Sequence, residues 1–145
     1  MDQTPERSTL SALEMAESAE LNVKDLNGDP TNTFITIVNP SSDRLTKVQE
    51  DWETKLARYK RRTRNISQAD MEIDPVYREM LTDNLLTRLT VATIKWREGD
   101  RETLEWKGRF LECTPENIRE VYEGLMSLRR QVAEFFTTER NFIKR

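Results

Sequence analysis

The chain has 145 residues, a net charge of −3, 36% hydrophobic and 34% charged residues, one cysteine and no histidine. The length suits a single domain with a modest core. One cysteine excludes an internal disulfide and a cysteine metal cluster, and the absence of histidine removes the commonest general base and metal ligand.

The first twenty residues form an acidic, interrupted stretch. From Met1 to Pro30 there are two basic and seven acidic residues, a net −5. This is the pattern of a solvated lead segment, here taken as flexible over residues 1–20. Ser8 is a candidate cap for a short helix through Glu20, with a thin apolar face at Leu10, Leu13 and either Ala16 or Met15. Neither a secretory signal nor a membrane span is written here: the basic start is missing and no run reaches ~18 apolar residues. A soluble protein retained in the cytoplasm is the expectation.

A β-hairpin comes next. Leu21, Val23 and Leu26 alternate with polar residues, Asn27 to Asn32 is a dense turn cluster, and Phe34, Ile35, Ile37 and Val38 make a second strand. Such a hairpin needs cover on its apolar face. Asp43 then opens a helix with a one-sided seam of Leu45, Val48, Trp52, Leu56 and Tyr59. Its end is strongly basic: Arg44 to Arg64 holds eight basic and three acidic residues, a net +5. The helix dipole accounts for part of this, and the acidic lead segment is a candidate counter-charge.

Residues 65–73 read as a linker. Asp74 to Trp96 reads as the central helix, capped by Asp74 with Pro75 in the first turn. Tyr77, Leu81, Leu85 and Leu89 form one stripe, and Val76, Met80, Leu86, Val91 and Ile94 widen it to most of the circumference. A helix of that kind should be covered on several sides. Leu104 to Cys113 suits one or two short strands broken at Gly108, available to extend the first hairpin's sheet. Thr114-Pro115-Glu116 starts a last helix whose seam runs Ile118, Val121, Leu125, Leu128, Val132, Phe135 and Phe142, close to a heptad, with Gly124 a point of division.

The expected fold is therefore α+β and predominantly α-helical, an N-terminal β-hairpin plus a bundle of three to four helices, in one domain over residues 21–145. Catalytic motifs are missing: there is no P-loop, no GxGxxG and no GxSxG, and Cys113 lacks a histidine to activate it. Asp25, Asn27 and Asp29 lack the spacing of a calcium loop. No catalytic, metal or cofactor-binding residue is assigned, and no cofactor is expected. Lys60, Arg61, Arg62 and Arg64 form a basic patch, but the sequence pI of about 5.2 argues against nucleic acid. A protein-binding role remains, with Trp52, Arg58, Tyr59, Arg61 and Arg62 as candidate contact residues.

The order of features resembles the tail assembly chaperones of long-tailed, siphovirus-like bacteriophages and prophages. The similar pieces are Asp25-Leu-Asn-Gly-Asp-Pro30 before the strand Thr33–Val38, and Pro40-Ser-Ser-Asp43 opening a charged helix. The central helix then runs into Lys95-Trp96, and Leu111-Glu-Cys-Thr-Pro-Glu-Asn117 opens a helix ending at Glu139-Arg-Asn-Phe142. The likeness spans most of residues 21–145; the loop after Trp96 departs from it in being more charged. It implies a non-enzymatic assembly factor in the host bacterial cytoplasm. Such a factor associates with the tape-measure protein and helps recruit tail-tube protein subunits, with no membrane partner and with self-association left open. Family members are often made in two forms, the longer by a programmed frameshift; this chain would correspond to the shorter. Two other readings stand beside it: a head–tail or tail-completion component, and a small regulatory nucleic-acid-binding protein using Arg58 to Arg64.

Overall fold

A computed structural model describes residues 10 and 13–143. The chain is α+β and predominantly helical, with an antiparallel hairpin near its start. Strand β1 (Ser18–Lys24) pairs with β2 (Pro30–Val38), Ser18 opposite Val38 and Leu21 opposite Ile35. The turn between them is held by Asp25, whose Oδ1 accepts the backbone N–H of Asn27 and of Asp29 at 2.8 and 3.0 Å. Gly28 takes the positive φ of 84° that this reversal needs.

The anticipated helix through Glu20 is not what the described residues form. Met15 makes an isolated bridge to Ile143, and Ser18 to Glu20 already belong to β1. Leu13 closes a turn back to the Leu10 carbonyl, and the Ala16 N–H bonds to the Phe142 carbonyl instead of to a helical partner; residues 8, 9, 11 and 12 of that expected helix lie outside the described residues. Asn39 ties the segment down: its backbone N–H bonds to the Glu17 carbonyl and its side-chain amide to the Ala16 carbonyl.

A 3-10 turn at Asp43–Leu45, capped by Ser42, leads into α1 (Thr46–Thr63). The expected linker contains a short helix, α2 (Gln68–Ile73), capped by Ser67. Helix α3 (Pro75–Ala92) begins as its sequence requires, with Asp74 accepting the Val76 N–H. It stops earlier than Trp96. Thr93 caps it, N–H and hydroxyl both bonding back to the Leu89 carbonyl. The chain then becomes β3 (Thr93–Glu98), which pairs with β2, Ile35 opposite Trp96 and Ile37 opposite Thr93. The main sheet is therefore β1-β2-β3. Thr93 and Ile94 are β-branched, and the open edge of β2 offers a ladder that a longer helix would leave unpaired.

Strands β4 (Thr103–Trp106) and β5 (Arg109–Glu112) turn at Lys107–Gly108 and form a separate two-stranded sheet, so this region does not extend the first one. Helix α4 (Pro115–Gly124) is capped by Thr114, and α5 (Met126–Phe136) follows after the break at Leu125. The expected long seam thus divides at Gly124, and Phe142 sits in a closing 3-10 turn, Glu139–Phe142, instead of on the helix.

The core lies between the main sheet, the last turns of α3, and α4 and α5. Ile35, Ile37 and Trp96 from the sheet meet Leu86, Leu89 and Ala92 from α3 and Ile118, Val121, Val132 and Phe136 from the last two helices. Its polar members are paired. Trp96 Nε1 donates to the Leu111 carbonyl at 3.0 Å, and the hydroxyls of Thr93 and Tyr122 lie 2.6 Å apart. Arg119 fastens α4 to the middle of α3 through Asp83 at 2.7 Å and Thr87 at 3.1 Å.

The central helix is not covered all round. Leu86, Leu89 and Ala92 are buried, whereas Val76, Leu81 and Leu85 are each more than a third exposed. The first half of α3 projects from the core and packs on α1 and α2, with Arg119 of α4 reaching it at Asp83. These three helices form an arm. Its inner contact is aromatic: Trp52 and Tyr59 of α1 meet Tyr77 of α3 at ring-centre distances of 6.4 and 5.4 Å. Arg44 Nε braces the base of the arm on the Val91 carbonyl at 2.6 Å.

Candidate functional site

Two surfaces stand out, one on the body and one on the arm. The body carries an apolar groove of about 320 Å³ between the end of β1, strand β4 and the α4–α5 junction. Leu104, Val121 and Leu128 are buried in its floor, and Val23, Trp106 and Leu125 wall it. Leu26, in the Asp25 turn, stands on its rim 91% exposed. Met126 is also exposed, next in the chain to Leu125. The turn holding Leu26 is rigid because Asp25 satisfies its N–H groups. A leucine fixed in water beside an apolar groove is the arrangement of a docking surface.

The groove's walls are locked in place. The Gln131 side-chain amide donates to the Lys24 carbonyl at 2.9 Å and accepts the Lys24 N–H at 2.8 Å, tying α5 to the edge of β1. Trp106 lies so close to Gly124 that a Cβ there would meet its ring at 2.4 Å. Glycine at 124 is thus a packing requirement as well as a helix break. The charged rim is Asp25, Glu98 and Glu105 against Lys24, two net negative charges. An apolar segment with basic flanks is its electrostatic match.

The five residues expected to contact a partner all lie on α1, but they do not form one surface. Tyr59 is 4% exposed and turned inward, where its hydroxyl donates to Asp74, the cap of α3. Burial, together with that carboxylate, pushes its phenol up to about 12. Tyr59 therefore joins the two helices and presents no contact surface. Trp52 is half-buried and lines a cleft between α1 and α3. Arg58, Arg61 and Arg62 are exposed, and among the described residues none of them forms an ion pair, nor do Lys60 and Arg64. The acidic residues before Pro30 do not neutralise this patch among the described residues; Glu20 pairs instead with Arg97 at 3.1 Å.

The groove escaped the sequence reading. Val23, Leu104, Val121 and Leu128 come from four elements and look like ordinary core in each. Only Leu26, an apolar residue inside a turn cluster, gave a local signal.

Cys113 is half-buried beside the start of α4, and burial pushes its thiol up to about 11, with Arg44 opposing. The thiol stays protonated near neutral pH. Among the described residues no helix is long and apolar enough to cross a membrane. No family model matches this chain, and neither a curated protein nor a solved structure matches it.

Proposed function

We propose that this protein is a non-catalytic tail assembly chaperone of a long-tailed bacteriophage or prophage. It binds the tape-measure protein in the host cytoplasm and helps recruit tail-tube subunits. The observation that carries the binding role is the body groove, with Leu26 held exposed on its rim. The assignment to tail assembly rests on the resemblance in element order. A long helical tape measure exposes apolar seams until the tube encloses it, and a groove with a negative rim suits an apolar seam flanked by lysine or arginine. Burying Leu26 alone is worth roughly 1.5–3 kcal/mol, so a few such contacts give a moderate, reversible affinity. Reversibility is what a factor displaced by tube subunits requires.

The test is co-expression with the tape-measure protein of the same genome, followed by affinity capture and recovery of finished particles. Expected are capture by the wild-type chain, loss of capture with Leu26→Asp, and absence of the chain from particles. Tails of normal length assembled without the chain would overturn the proposal. The chain's presence in finished particles would favour a structural head–tail or completion component.

A further inference from the structure

We propose that the cleft on the arm is a second docking surface, which takes an amphipathic protein helix carrying carboxylates at one end. The cleft between α1 and α3 measures about 330 Å³ and is floored by Val48, Trp52, Val76 and Met80. Asp51 and Lys55 line it from α1. Arg58 and Arg62 continue the same row at helical spacing, towards the far end of the arm. The Tyr59–Asp74 hydrogen bond sets residues 73–76 beside this turn of α1. Ile73 is 72% exposed and Val76 55% exposed there. Open apolar side chains thus meet guanidinium groups that have no ion pair among the described residues.

A helix dipole alone favours cations in the last turn of α1. It gives no reason for exposed isoleucine and valine beside them. Nucleic acid would use the cations but not the apolar floor, and Asp51, Glu79 and Asp83 along the cleft would repel a phosphate backbone. A protein helix satisfies both features. Its apolar seam covers Trp52, Val76 and Met80, and its acidic end meets Arg58 and Arg62. The arm is about 27 Å long by the 18 residues of α1, which sets the length of helix it can take.

This surface is independent of the body groove. Fluorescence anisotropy with the full chain tests it, using a labelled amphipathic peptide of about 18 residues with glutamates clustered at one end. The same peptide with lysines in their place and a single-stranded oligonucleotide serve as the other probes. Expected is binding of the glutamate peptide, weakened about tenfold or more by Arg58→Glu with Arg62→Glu and by Val76→Asp. The lysine peptide should bind that charge-reversed variant better than the wild type, and Leu26→Asp should change nothing. Arg62→Glu alone, a single exposed change, gives the same direction should the double variant fold poorly. No binding of the glutamate peptide, equal binding of both peptides, or binding untouched by the arginine changes would overturn the proposal. A salt-dependent shift of the oligonucleotide, abolished by the same changes, would make the surface a nucleic-acid site instead. Sedimentation showing a dimer that these changes dissolve would assign it to a second copy of the chain.

Discussion

The two halves of α3 are built from similar residues and packed in opposite ways. Past Asn84 it is enclosed by the main sheet on one side and by α4 and α5 on others, and Leu86, Leu89 and Ala92 vanish from solvent. Before Asn84 it packs on α1 and α2, with one ion pair from Asp83 to Arg119 of α4, and Val76 and Leu81 stay in water. The body is a multilayer core that buries its own apolar surface. The arm is a single layer of α1, α2 and the start of α3, whose apolar surface exceeds what these helices cover for one another. The difference teaches where spare binding surface arises: not where apolar residues are densest, but where layers run out. The body groove lies at a similar margin, between the end of β1, strand β4 and the α4–α5 junction.

The largest expected effect is in the body. Trp96→Ala removes a ring 1% exposed together with its hydrogen bond to the Leu111 carbonyl. It should lower stability by about 3–5 kcal/mol, read as the midpoint shift in denaturant unfolding. A change under 1 kcal/mol would mean the body is not the stabilising half. Gly124→Ala comes second. The added methyl collides with Trp106, and overpacking costs about 1–3 kcal/mol, offset in part by up to ~1 kcal/mol of helix propensity. Trp106→Ala made together with it should relieve the collision, so the two changes should be strongly non-additive. Additivity would show that Trp106 does not sit against Gly124.

The arm should respond separately. Tyr59→Phe removes the bond to Asp74. Amide hydrogen exchange should quicken in α1 and α2 and leave β1–β3 unchanged; uniform quickening would make arm and body one cooperative unit. The same tyrosine gives a pH signature. Its folded-state pKa, about 12, lies above the ordinary value of 10. Its contribution is therefore whole below pH 10 and is lost as pH rises through 12, and Tyr59→Phe should flatten that alkaline loss. The smallest effect belongs to Arg61→Ala, which should change stability by less than about 0.5 kcal/mol because the side chain is exposed and has no ion pair among the described residues.

Much of this molecule was written locally. The hairpin turn at Asp25–Gly28, the Asp74-Pro75 and Thr114-Pro115 helix starts, and the break at Gly124 follow from caps, turn residues and periodicity, which depend on neighbours a few positions away. Alternation and heptad spacing likewise marked β2, α1 and α4 as apolar-faced. What tertiary structure decided is the fate of apolar stretches that fit two states. Thr93 to Trp96 continues a helical stripe but is β-branched enough to pair, and the open edge of β2 tipped it into β3. Tyr59 lay both on the apolar seam of α1 and beside its basic end, so it suited the core or a contact surface, and the contact with Tyr77 and the bond to Asp74, fifteen residues on, place it inside. The groove depended most on assembly, since its floor and walls join side chains from β1, β4, α4 and α5. Local sequence specifies which faces are apolar; only the stacking of layers specifies which of those faces is left uncovered.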